Sequence, residues 1–295
     1  MNKIGIIYFS GTGNTKFIAQ TIKEELEKYN QDSDLINIEK DKISLKNYKS
    51  LIIGGPVYVE RYPEILLKYI DKNLKEYKGK CMLFTTQANP KGTNTFQNCI
   101  SKFPHLNVTY CMFIPMPNNF YNFLFKKSSK EEEIKLIKEG IVKTRKEVKE
   151  FINGKIKLYP KTNANVKMVD MVYNMVYPYY SRYLTKNIEI DNDKCIHCKV
   201  CEKNCPLQSI KITDKAKFDK NCTLCQRCLN KCPKGAFKYK KKDIVQYNPN
   251  FRTAKKELDG KIWYNGLLKV KIGVNLTPIF YICLLTFLHQ FEQVF

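Results

Sequence analysis

The chain has 295 residues, enough for one or two domains, and carries 51 basic against 28 acidic side chains, a net charge of +23. The surplus is uneven: 26 basic against 17 acidic side chains in residues 1–155, and 25 against 11 in residues 156–295. The lysines are spread, with one dense run from Lys238 to Lys242, which argues against nucleic-acid binding and for docking on acidic proteins. The apolar stretch at Met1–Phe9 is too short for a signal-peptide core.

Lys3–Phe9 reads as a buried parallel strand that runs into Ser10-Gly11-Thr12-Gly13-Asn14-Thr15. A helical pattern follows through Phe17, Ile18, Ile22 and Leu26. A strand, a hydroxyl-and-glycine loop and a helix together aim N–H groups and hydroxyls at an anion. The loop lacks the Gly-Lys-Ser/Thr ending of a P-loop, and Lys16 stands where a dinucleotide fingerprint needs its third glycine. Further strands are expected at Leu35–Glu39, at Ser50–Ile53 leading into Gly54-Gly55-Pro56-Val57-Tyr58, at Lys80–Thr86 and at Asn107–Pro115. Gln87 to Gly92 and a helical stretch to Phe103 follow the fourth of these five strands, and a charged helix is expected over Lys130–Ile152. The alternation predicts a five-stranded parallel sheet with helices on both faces.

Ser10, Thr12, Gly13 and Thr15 fit the pattern T/S-x-T-G-x-T, and in this the loop resembles the phosphate loop of flavodoxins. The resemblance covers residues 1–155. It implies a doubly wound flavodoxin-like α/β domain with FMN over the carboxyl ends of the strands at the switch point. The implied contacts are Ser10, Gly11, Thr12, Gly13, Asn14 and Thr15 in the first loop, then Pro56, Val57 and Tyr58, then Thr86, Gln87 and Asn89. Tyr58 stands where an aromatic ring commonly stacks on the isoalloxazine. Gln87 and Asn89 depart from the acidic and aromatic residues often found around the ring, and the domain is basic, so the family's very low potential does not carry over.

Residues 156–186 join the two halves. Val166, Met168, Val169, Met171, Val172, Met175 and Val176, with five tyrosines between Tyr173 and Tyr183, form a helical apolar stripe interrupted by Pro178. Such a stripe is expected to pack as a brace between domains.

Cys195, Cys198, Cys201 and Cys205, then Pro206, read C-x2-C-x2-C-x3-C-P, and Cys222, Cys225, Cys228 and Cys232, then Pro233, repeat it. Bacterial two-cluster ferredoxins hold two [4Fe-4S] clusters with this run, the fourth cysteine of each serving the other cluster. Cys195, Cys198, Cys201 and Cys232 then hold one cluster, and Cys222, Cys225, Cys228 and Cys205 the other. Structural zinc is disfavoured because His197 is the one histidine nearby, and a disulfide framework would need a secreted chain. Ile188–Ile212 and Lys215–Tyr239 superpose at one offset, so a small pseudo-symmetric ferredoxin-like α+β module is expected, folded largely by its metal. Thiolate-held clusters need a reducing compartment, which points to the cytoplasm. Cys81, Cys99, Cys111 and Cys283 read as small buried hydrophobes.

Beyond Gln246, Leu276–Leu288 is apolar for 13 residues, short of the ~20 that span a bilayer. Packing on protein is expected there, with membrane-surface contact as the alternative. The whole resembles flavodoxin–ferredoxin fusion proteins: 1–155 flavodoxin-like, 156–186 helical linker, 187–245 two-cluster domain and 246–295 an extension those proteins usually lack. The resemblance implies electron transfer among two [4Fe-4S] clusters, FMN and external, acidic redox proteins. The alternatives are an FMN-dependent reductase of a quinone or nitro compound fed by the clusters, and a non-redox interaction module without FMN. No nicotinamide fingerprint is present, so electrons are expected from a separate protein or reductant.

Overall fold

The computed structural model describes residues 3–41, 43–88, 94–159 and 166–260, without the side chains of 166–170 and 172. The chain divides into two compact units, Met1–Phe251 and Arg252–Phe295. Of the second unit, residues 252–260 are helical; the apolar stretch Leu276–Leu288 lies outside the described residues.

The first unit begins with a parallel sheet of β1 (Lys3–Tyr8), β2 (Ser33–Asn37), β3 (Tyr48–Pro56), β4 (Lys80–Gln87) and β5 (Asn107–Pro115), in the order β2-β1-β3-β4-β5. Successive strand residues point to opposite faces, so each apolar run feeds two layers. Ile7, Phe9, Leu51, Ile53, Cys81 and Leu83 pack with Leu66, Leu67 and Ile70 of α2 (Glu64–Asn73) and with Phe96 and Cys99 of α3 (Thr95–Lys102). The alternate residues Ile6, Ile52 and Met82 are fully buried on the other side. There α1 (Asn14–Lys28) and α4 (Lys130–Ile152) pack on one another, and α4 packs on β5. A capping box of Ser129 and Glu132 starts α4. Gly54 lets β3 lie against the Phe84 ring, since an added Cβ would fall 2.1 Å from it.

The sheet order puts the carboxyl ends of β1 and β3 side by side at the point where the chain reverses its direction of growth, which is where such sheets open a crevice.

Helix α5 (Val166–Lys186) runs straight through Pro178, contrary to the expected interruption. A proline inside a helix forfeits one backbone bond, and the tertiary contacts of α5 outweigh that loss. Of the described side chains in the expected stripe, only some pack. Tyr173, Ser181, Leu184 and Thr185 are buried, whereas Met175 is 62% and Tyr179 72% exposed. The brace is made by polar groups: Tyr177 Oη and Ser181 Oγ donate to the carbonyls of Thr223 (2.8 Å) and Cys222 (2.6 Å). At the other end, the buried Arg61 lies 4.4 Å from the Tyr173 ring centre and donates to Asn174 Oδ1.

The cysteine-bearing part comprises β6 (Ile188–Ile190), α6 (Val200–Lys203), β7 (Ile210–Ile212), β8 (Ala216–Phe218), α7 (Arg227–Lys231), β9 (Phe237–Tyr239) and β10 (Lys242–Asp243). Two small antiparallel sheets form, β10-β9-β6 and β7-β8. Ile188, Ile210, Ile212, Leu229, Phe237 and Ile244 make its core, with cysteines of both motifs packed against them. The backbone repeats at the offset of 27 residues that separates Cys195 from Cys222. His197 and Leu224, Lys199 and Gln226, and Gln208 and Gly235 are matched pairs at positive φ. Ser209 N–H points at Cys205 Sγ (3.2 Å) as Ala236 N–H points at Cys232 Sγ (3.4 Å).

Candidate functional site

Between β1 and α1, Ser10–Gly13 hang over the carboxyl end of the sheet. Gly13 has φ +117°, where a side chain is strained, and its N–H donates to Ser10 Oγ (3.2 Å). No carboxylate occupies the first turn of α1, so its N-terminal amides favour an anion. Thr15 and Thr86 hydroxyls share a 2.7 Å hydrogen bond that ties the first loop to the third. Asn119, in the loop after β5, donates to Thr12 Oγ1 (2.5 Å). Asn14 donates to the Pro117 carbonyl (3.1 Å) and accepts from Tyr247 Oη (2.6 Å).

The second loop is a tight turn in which Tyr58 N–H bonds the Arg61 carbonyl (2.9 Å). Val59 (φ 48°) and Glu60 (φ 63°) both lie in the left-handed region, the two-residue turn normally made by Asn and Gly. A β-branched residue is strained there. The turn holds the Tyr58 ring in the crevice, where burial, and then the neighbouring Cys225, push its hydroxyl well above the ordinary range.

These loops enclose a cavity of about 330 Å³ lined by Ser10, Gly11, Thr12, Asn14, Thr15, Pro56, Val57, Tyr58, Thr86 and Gln87, within the size range of small-molecule and cofactor sites, about 300–1,000 Å³. Of the residues expected here, Gly13 shapes the loop without lining the cavity, and Asn89 lies outside the described residues. Three groups of lining residues were not expected: Asn118, Asn119, Phe120, Leu124 and Phe125 after β5; Tyr177 and Tyr180 of α5; and Leu224, Cys225 and Gln226. The first group follows β5, which ends the sheet two strands beyond β3, so it reaches the crevice from outside the switch point itself. The other two depend on how the chain returns to the sheet, which no local pattern encodes.

The cysteines gather as the swapped assignment requires. Cys195, Cys198, Cys201 and Cys232 border one cavity, and Cys205, Cys222, Cys225 and Cys228 border another. Both three-cysteine loops carry paired left-handed residues, and the N–H groups of Ser209 and Ala236 point at Cys205 and Cys232. Burial pushes the Cys222 thiol up to about 12 and Cys225 up to about 11, against the pull of nearby backbone N–H groups. Four thiols around one space with amides turned toward them suit a cluster, whose iron keeps its ligands deprotonated. Among the described residues no three thiol, imidazole or carboxylate groups stand, as placed, close enough together to hold a metal ion.

The second cysteine loop abuts the first cavity directly. A Cβ on Gly11 would lie 2.7 Å from the Cys225 carbonyl and 2.9 Å from Tyr58 Oη. Arg227, between Cys225 and Cys228, donates to the carbonyls of Ser10 (2.6 Å) and Gly11 (3.4 Å) and forms a two-pronged pair with Glu39.

The flavodoxin domain family matches residues 5–105, and 4Fe-4S binding domain families match residues 187–210 and 219–236. The chain carries a flavodoxin domain and two 4Fe-4S binding domains. This combination supports an electron-transfer role. Two uncharacterized proteins of Methanocaldococcus jannaschii are similar over short stretches. One is 37% identical over 60 residues (20% of this chain, 24% of that protein) and the other 44% identical over 48 residues (16% and 19%). The chain thus spans about a quarter or less of the curated relatives it matches. Similar solved structures include a Lactobacillus acidophilus flavoprotein in complex with FMN, at 22% identity over 38% of this chain and 93% of that one, TM-score 0.34. Oxidised flavodoxin 1 from Bacillus cereus aligns at 17% identity over 52% and 98%, TM-score 0.38. Fusobacterium nucleatum flavodoxin bound to flavin mononucleotide aligns at 16% over 53% and 100%, TM-score 0.37. No helix among the described residues is long and apolar enough to cross a membrane.

Proposed function

We propose that the flavodoxin domain binds FMN in the cavity at the carboxyl end of its sheet, and that the two 4Fe-4S domains exchange single electrons with it inside one polypeptide. One observation carries the reading: Leu224, Cys225 and Gln226 of a cluster loop line the same cavity as the Ser10–Thr15 loop and Tyr58. Clusters supply one-electron steps, and a flavin takes one or two. The amides and hydroxyls of Ser10, Thr12 and Thr15 receive the terminal phosphate at the N-terminus of α1, while Tyr58 flanks the ring. Gln226 Oε1 is buried with no protein donor and its residue borders the cavity, a deficit that an N–H of the flavin ring would satisfy. Tyr177, Tyr180, Phe120 and Leu224 screen the site from water.

The set Cys205, Cys222, Cys225 and Cys228 is therefore the inner one, and Cys195, Cys198, Cys201 and Cys232 the outer one. Holding both on the chain that holds the flavin fixes a high effective concentration for transfer. External redox proteins supply and remove the electrons in a reducing compartment. Anaerobic purification with iron, sulfide and flavin quantitation tests the assignment: about eight iron atoms per chain and one FMN are expected. A protein with full iron and no flavin absorbance would overturn it. Rapid steady-state turnover of a free quinone would shift the reading to a reductase.

A further inference from the structure

The two cysteine loops share a backbone and differ in what covers them. His197 and Lys199 (φ 48° and 56°) match Leu224 and Gln226 (φ 51° and 59°), and in both loops the helix after the second cysteine starts at the same relative position. Yet Leu224 is 6% and Gln226 5% exposed, and both line the cavity they share with the Ser10–Thr15 loop and Tyr58. On the other loop Ile196 is 57% exposed, and His197, Cys198 and Lys199 face solvent. The inner loop presents its surface to the flavodoxin domain. The outer loop presents the equivalent surface to nothing among the described residues.

Charge says what fits there. Lys199, Lys203, Lys231 and Lys234 are all exposed, on the outer loop, at the end of α6, at the end of α7 and after Cys232. Lys199, Lys234 and Ile196 border the same cavity as the outer cysteines. Lys194 is already engaged with Asp243 and Asp191. The exposed Ile196, with Lys199 and Lys234 beside it and one nearby exposed carboxylate at Asp193, offers an apolar contact with a mainly basic rim, the arrangement that steers a protein of opposite charge. It gives little apolar area for insertion into a lipid surface.

We propose that the Cys195–Cys201 face is the docking site for an external acidic redox protein, which takes on the outer cluster the place the flavodoxin domain takes on the inner one. The proposal rests on the cysteines holding clusters, and the iron content measured beforehand tests that reading separately.

The test uses the anaerobic holoprotein and a reduced, acidic two-cluster ferredoxin as donor, with cluster reduction followed by stopped flow at several salt concentrations. The second-order rate constant should fall as salt rises, and fall by about tenfold or more in Lys199→Glu/Lys234→Glu. The same charge change at the end of α2 and just past it, Lys72→Glu/Lys75→Glu, should lower it less than about threefold. Reduction by a small photoreduced deazaflavin should be the same in all variants, which confirms intact clusters. A second pair, Lys203→Glu/Lys231→Glu, should repeat the result with different side chains. Equal losses for the α2 pair and the outer-loop pairs, no transfer from the ferredoxin, or a loss confined to binding of phosphatidylserine vesicles would each overturn the proposal.

Discussion

Arg227 donates a 2.6 Å hydrogen bond to the main-chain carbonyl of Ser10, so a residue set between two cluster cysteines holds the phosphate loop in place. The same guanidinium is paired with Glu39, and both side chains are about 15% exposed. Arg227→Ala frees the loop and strands a mostly buried carboxylate. A hydrogen bond to a charged group contributes about 1.5–3 kcal/mol, so the Kd for FMN should rise by about tenfold or more. Arg227→Lys should recover little, because an ammonium cannot span two carbonyls and a carboxylate. Fluorescence titration of flavin-depleted protein reads both, and unchanged affinity at unchanged iron content would show that Arg227 does not shape the loop.

Gly11 is the second contact between the halves. Its missing side chain lets the Cys225 carbonyl and Tyr58 Oη approach within 2.7 and 2.9 Å of where a Cβ would stand. Gly11→Ala must push one of them away, and both belong to constrained loops. The expected result is less FMN per chain on purification and altered electron paramagnetic resonance of the inner cluster alone. An alanine variant with full FMN and wild-type spectra would mean the approach is looser than it looks.

The phosphate end is tested by ligand rather than by mutation alone. Riboflavin lacks the phosphate and should bind much more weakly than FMN, and Thr12→Val should narrow the gap between them. Thr15 is less clean, since its hydroxyl also bonds Thr86. Equal affinity for riboflavin and FMN would remove the Ser10–Thr15 loop from the site.

The sheet was legible because parallel strands buried on both faces read as uninterrupted apolar runs, as at Lys3–Tyr8, and the charged helix expected over Lys130–Ile152 forms with those bounds. The two cysteine groupings were expected from the likeness of the run to two-cluster ferredoxins, and the same two sets of four border the two cavities. The return of the second cysteine loop onto the phosphate loop was not. It depends on Arg227, Gly11 and Tyr58 meeting across more than 160 residues of sequence, and among 13 glycines and 19 tyrosines no local pattern picks out these two. The packed side of α5 was only partly legible for a related reason. Hydrophobicity marked methionines and tyrosines alike, whereas of the described ones Tyr173 and Tyr177 pack and Met171 and Met175 do not, and Ser181, which hydrophobicity passes over, reaches the Cys222 carbonyl.

Thiols that serve only the core should be inert. Burial pushes Cys81 and Cys111 each up to about 12. At pH 8 only about one in ten thousand would be thiolate, the reactive form, and the fraction rises tenfold per unit of pH toward that value. Brief iodoacetamide treatment of the native holoprotein at pH 8, followed by peptide mass analysis, should leave Cys81 and Cys111 unlabelled while the same treatment after unfolding labels both. Labelling in the native state would mean the sheet opens far more often than its packing implies.

Inner and outer clusters should separate by mutation. Cys225→Ser and Cys198→Ser should each leave about four iron atoms per chain, since each removes one ligand of one cluster. Their effects on the flavin should differ. Cys225 lines the flavin cavity, so its loss disturbs the loop that walls it, weakens FMN binding and removes the short path for electrons. Cys198 lies on the solvent side, so its loss should leave FMN affinity intact. Flash reduction of the flavin then reads the path itself. In the wild-type protein and in Cys198→Ser the flavin should reoxidise in a single exponential, at a rate that neither dilution nor salt changes, because donor and acceptor are fixed by contacts within one compact unit. In Cys225→Ser that phase should disappear. A rate that falls with dilution in the wild-type protein would place transfer between molecules. A phase lost in Cys198→Ser and kept in Cys225→Ser would reverse the order of the two clusters.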